Sequence, residues 1–101
     1  MAVTLDMARQ YLGIDVDDDP MINANLSRAL TTAQQLVRSG VGENVESVFP
    51  GDPRVDELIL AYTADLFNGR SASAKAENAI ARHIDTLEWQ LRLEYRRRGG
   101  A

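Results

Sequence analysis

Apolar side chains recur at helical spacing through most of this chain, in stretches separated by turn residues. The stretch that organises the rest is DPRVDELILAYTADLFNGR, from Asp52 to Arg70. At about 100° per residue, Val55, Leu58, Ile59, Tyr62 and Leu66 fall on one side of a helix. Leu60, Ala64 and Phe67 fall roughly opposite. A surface helix carries one apolar stripe, so a helix with two is expected to meet neighbours on both sides, either within the chain or in another subunit. Both ends are marked. Asp52 is a good cap, Pro53 suits the first helical position, where the missing N–H costs nothing, and Asn68-Gly69 suits a left-handed exit.

Three further helices are predicted. Thr4 caps a short one over residues 5–12 that Gly13 stops, with Leu5, Ala8 and Leu12 on one face. A long helix runs from Pro20 to Ser39 with Gly40 at its end. Its single stripe is Ile22, Leu26, Ala29, Leu30, Ala33, Leu36 and Val37. Residues 41–51 read as a loop whose Val45, Val48 and Phe49 tuck back as a satellite of the core, with a short extended piece as an option. After a small polar linker, residues 71–75, the last helix spans residues 76–97 and lines up Ala76, Ile80, Ile84, Leu87, Leu91 and Tyr95. Trp89 and Leu93 lie on nearly the opposite face of that helix, one turn apart, among Arg82, Asp85 and Arg96. An apolar pair rimmed by charge suits an interaction patch; the alternative is that the first helix packs there.

The expected fold is therefore all-α: a small bundle of three long helices plus a short N-terminal helix. Its core is expected to hold Leu26, Leu30, Ala33, Val37, Leu58, Ile59, Tyr62, Leu66, Ile84, Leu87 and Leu91. With 101 residues, one domain over 1–98 and a frayed tail over 99–101 is the natural division. A core of that size is modest, and oligomerisation is a common source of further stability.

Charge changes the picture more than composition does. The net charge is −4, but residues 1–69 carry 11 acidic and 4 basic side chains, and residues 70–101 carry 4 acidic and 7 basic. An acidic body with a basic end can pair head-to-tail with its own copies or dock on an acidic partner. Arg92, Arg96, Arg97 and Arg98 supply the basic end, and Asp17 and Asp18 belong to the acidic one. Some cationic charge suits a helix C-terminus through the macrodipole, but three consecutive arginines exceed that need.

Candidate chemistry is thin. The chain has no cysteine, which removes disulfides, thiolate metal sites and thiol nucleophiles. Asp15 to Asp19 alternate in a calcium-like way, yet an EF-hand beginning at Asp15 needs Gly and Glu where Pro20 and Leu26 stand. Helix-start chemistry explains these aspartates better. His83 is the only histidine and has no nucleophile or ligand at a suitable spacing. Gly40-Val41-Gly42 lacks the strand and helix that a phosphate loop requires. The connection between the two middle helices is too long for a helix-turn-helix. No catalytic residue, cofactor or metal is expected. No apolar run is long enough for a membrane span, and the N-terminus lacks signal-peptide character.

With these motifs assembled, the sequence resembles the small head–tail connector proteins of tailed bacteriophages, also known as a DNA-packaging family. The resemblance rests on Val3-Thr4-Leu5-Asp6 through Tyr11-Leu12-Gly13-Ile14, and on Asp17-Asp18-Asp19 leading to Ala33-Gln34-Gln35-Leu36-Val37. It rests also on the run from Leu58 to Arg70, which closes with an aromatic, Asn and Arg, and on Gln90-Leu91-Arg92. Gly69 between Asn68 and Arg70 and a longer, more basic last helix depart from the pattern. The resemblance implies a non-enzymatic adaptor subunit located in the virion neck and assembled in the host cytoplasm. It would form a ring with copies of itself, matched to the twelvefold portal protein above, and dock a stopper or tail-completion protein below. DNA would pass through without sequence-specific contact, and no membrane is involved. The expected subunit or partner contacts are Leu60, Phe67, Trp89, Leu93, Arg92, Arg96, Arg97, Arg98, Asp17 and Asp18. The alternatives are a small helical nucleic-acid-binding protein using Arg96 to Arg98, or a dimerisation module.

Overall fold

The helices stop and start where local hydrogen bonds dictate. In a computed structural model, which describes residues 3–13, 20–68 and 74–99 (without the side chains of Asn68 and 74–80), they are α1 (Leu5–Leu12), α2 (Pro20–Gly40), α3 (Val45–Val48), α4 (Pro53–Asn68) and α5 (Ala74–Arg97). The Thr4 hydroxyl accepts from the Met7 amide at 3.2 Å, satisfying one of the orphan donors of α1. Gly13 closes α1 at φ +70°, a left-handed conformation that glycine adopts without cost, and its N–H returns to Arg9 and Gln10 carbonyls. Asp52 caps α4 through Oδ1, which accepts from the Arg54 amide at 2.9 Å, with Pro53 at the first helical position. The proposed exit at Gly69 and the linker residues 71–73 lie outside the described residues. Ala74 and Lys75 belong to α5, because nothing in their type interrupts a helix.

All regular secondary structure among the described residues is helical, so the all-α bundle is as expected. α4 is the central element and packs against α2, α5 and α1, while α1 also touches α2. The chain measures 43 × 29 × 18 Å. The shortest dimension matches two helix layers at about 8–10 Å each. On α4, Val55, Leu58, Ile59, Leu60, Ala61, Thr63 and Ala64 are all buried, covering both stripes. The Thr63 hydroxyl is satisfied within the helix, donating to the Ile59 carbonyl at 2.7 Å.

Three expectations about the core change. Leu66, assigned to it, is 40% exposed, and Leu36, on the α2 stripe, is also exposed. Leu36 stands at the edge of its apolar arc, whereas Leu66 lies within its arc but in the last turn of α4, where neighbouring helices no longer cover it. Tyr62 and Leu87 are half-buried against the core. Residues 41–51 are not a plain loop and contain no extended piece. They hold the single turn of α3, and Val45 and Phe49 are 1% and 2% exposed, members of the main core rather than a satellite.

Candidate interaction surface

α5 divides its faces sharply. Ile84, Leu91 and Tyr95 are buried against the bundle. On the opposite face Trp89 is 60% exposed and Leu93 is 38% exposed. Exposed Arg82, Asp85, Arg96 and Arg97 surround them. α1 does not cover this ridge; it lies against α4 and α2, with Arg9 donating to Asn23 at 2.6 Å and Tyr11 to Glu57 at 3.3 Å.

What holds α5 in this orientation is a set of polar contacts along its inner edge. The Tyr62 hydroxyl donates to Glu88 at 2.8 Å. The resulting environment pushes the Tyr62 phenol up, first by burial, then by that hydrogen bond and the charge of Glu88. Arg92 donates Nε to the Gly40 carbonyl at 2.9 Å and approaches Glu88 at 3.3 Å. The Gly40 carbonyl is at the C-terminus of α2, where helical carbonyls lack partners. The Tyr95 ring lies directly against Gly42, and its hydroxyl accepts from the Asn44 amide at 3.3 Å. A side chain at Gly42 would occupy the ring's place.

At the far end, Arg54 joins Asp52 to Glu94, with contacts of 2.7–2.8 Å to Glu94. Hydrogen bonds from Arg54 hold the Asp52 and Glu94 carboxyls below their usual range, against the opposing push of desolvation. Arg98 donates to the Val48 carbonyl at 3.1 Å, and its guanidinium stands 4.6 Å from the Phe49 ring centre. Elsewhere, His83 meets Glu57 at 2.9 Å, so that Glu57 links α1, α4 and α5. Among the described residues no group of three His, Asp or Glu is placed to hold a metal, and no helix is long and apolar enough to cross a membrane.

The expected contact residues therefore separate. Trp89, Leu93, Arg96 and Arg97 face outward, and among the described residues Arg96 and Arg97 have no ion pair. Leu60 is corrected: at 8% exposure it belongs to the chain's own core, because neighbouring helices cover the second stripe of α4 at that level. Arg92 and Arg98 are corrected in part, since their donors are engaged by carbonyls of their own chain. Asp17 and Asp18 lie outside the described residues.

Phe67 has a setting that periodicity did not reveal. It is half-buried and lines, with the exposed Leu66, a groove of about 380 Å³ between α4 and α2; Asn25, Arg28, Ala29 and Thr32 form the other wall. A signal was present in the sequence: adjacent Leu66 and Phe67 are about 100° apart and cannot both point into one core.

No family model, curated protein or solved structure matches the chain.

Proposed function

We propose that the chain is a structural adaptor subunit, a head–tail connector of a tailed bacteriophage, that forms a ring under the portal and carries the next neck or tail component. Two kinds of support combine. The ordered motifs from Val3 to Arg92 resemble that family, and the subunit presents a ready contact surface. The observation that carries the reading is Trp89: the largest side-chain type stands 60% exposed on a helix whose opposite face already closes the core. Aromatic anchors with a polar rim are characteristic of interface centres.

In this reading Arg96 and Arg97 serve orientation. Bidentate arginine–carboxylate pairs fix geometry as well as attract, and a channel through which DNA must slide gains little from an adhesive cationic lining. Asp17 and Asp18 of a neighbouring copy, or carboxylates of the portal, are the proposed acceptors. The test is the mass of the free protein in solution, followed by imaging after mixing with purified portal. Rings seated on the portal are the expected result. A dimer that never forms rings would replace the proposal with the dimerisation module.

A second reading, nucleic-acid binding, draws on the same outward Arg96 and Arg97. It requires affinity for DNA that falls steeply with salt. Retention of DNA by the free subunit at moderate salt would favour it over the adaptor.

A further inference from the structure

We propose that the α5 ridge of one copy docks in the α2–α4 groove of the next, so that copies join through two different surfaces. The inference rests on the self-assembly in the adaptor reading and names the surfaces that perform it. The ridge presents Trp89 and Leu93 one turn apart, and Trp89 also borders a hollow of about 480 Å³ with Asp85 and Gln90. The groove is concave, and Leu66, Phe67 and Ala29 supply the apolar part of its lining, with Leu66 40% exposed.

Charge selects this pairing over ridge against ridge. Among the described residues the ridge carries Arg82, Arg96 and Arg97 against a single Asp85. Two such faces brought together around a twofold axis would set like charges opposite one another, which is costly at an interface. The groove offers one complement in its wall, Arg28 for Asp85, and the ridge arginines face the acidic body around it. Among the described residues neither Arg28 nor Asp85 is in an ion pair within its own chain. The body that bears the groove also carries the excess negative charge of residues 1–69. A contact between unlike surfaces leaves one of each free on every pair, so it continues to a closed ring or a filament, whereas a like-with-like contact stops at two.

Trp89 is the only tryptophan, so its emission reports the ridge directly. In the assembled parent, free or seated on the portal, its emission is expected to shift to shorter wavelength and its quenching by acrylamide to fall relative to the dilute chain. Trp89→Ser removes the ridge and Leu66→Asp the groove; both sites are exposed, and unchanged helicity and melting verify that each variant folds. Each alone is expected to lose assembly. Mixed, at the concentration where the parent assembles, they retain one intact ridge and one intact groove and form 1:1 pairs that grow no further. Arg28→Glu is expected to weaken assembly, and Arg28→Glu combined with Asp85→Arg to restore it. Assemblies in which Trp89 stays as quenchable as in the dilute chain would overturn the pairing while leaving ring formation intact. So would a mixture that stays monomeric together with failure of the charge-reversed double variant. A parent that remains monomeric with portal present would overturn the adaptor reading itself, and the pairing with it.

Discussion

Arg54 grips Glu94 at two points, Nη1 to Oε1 at 2.8 Å and Nη2 to Oε2 at 2.7 Å, although 40 residues separate them in the chain. The same guanidinium reaches Asp52 through Nη2 at 2.8 Å and Nε at 3.2 Å. One side chain at the second position of α4 thus ties the cap of its own helix to the end of α5. The planar fork of arginine makes this possible; lysine offers a point charge without two parallel donors.

Acid should release this tie. The Asp52 and Glu94 carboxyls are held below their unfolded values by hydrogen bonds from Arg54. A depressed carboxyl contributes stability that is complete above the unfolded value, about pH 4, and lost as pH falls through the folded one. Glu94→Gln is therefore expected to melt below the parent at pH 7, with the gap closing on acidification toward about pH 2–3. Thermal unfolding followed across that range measures it. An equal gap at both ends would assign the loss to packing.

Alkali acts through Tyr62. Its phenol is pushed up by burial and by the hydrogen bond to Glu88. The folded state keeps the proton that the unfolded state releases near pH 10, so stability declines above about pH 10. The decline is expected to be shallower in Tyr62→Phe. Melting temperatures of the two proteins between pH 8 and about 11 decide this, and parallel curves would refute it.

Two glycines two residues apart should respond differently to alanine. At Gly42 the new methyl meets the Tyr95 ring, which is rigid and buried, so overpacking is expected to cost about 1–3 kcal/mol. At Gly40 it meets the Glu88 carboxylate, the end of a flexible side chain, and alanine gains up to about 1 kcal/mol of helix propensity in partial compensation. Urea unfolding of both variants is expected to rank Gly42→Ala as the more damaging.

Leu58 and Leu66 share a stripe on α4 but not an environment. Leu58 is fully buried, and Leu58→Ala is expected to cost about 2–5 kcal/mol. Leu66 is 40% exposed, and Leu66→Ala should stay within about 0.5 kcal/mol. Chemical denaturation of the dilute chain separates these values. A large loss at Leu66 would mean that the groove it lines is closed in solution.

Several helix ends were legible residue by residue, though α3 and the start of α5 at Ala74 were not. Thr4 and Gly13 bound α1, Pro20 opens α2, and Asp52 with Pro53 opens α4, all as their types predict. These signals act through hydrogen bonds and dihedral preferences within about four residues, so no knowledge of the rest of the chain is needed. The outward Trp89–Leu93 pair was legible too, because Ile84, Leu91 and Tyr95 claim the other side of the same helix. The tertiary structure alone decided what periodicity left equal. Leu60 and Leu66 each sit on a regular apolar stripe of α4, yet Leu60 is covered and Leu66 is not, since coverage depends on where neighbouring helices pass. It likewise divided the arginines: Arg92 and Arg98 are drawn onto the carbonyls of Gly40 and Val48, each about 50 residues earlier in the chain, while Arg96 and Arg97 remain turned outward. Spacing along one helix states the direction of a side chain, but its partner is set by distant segments that folding brings alongside.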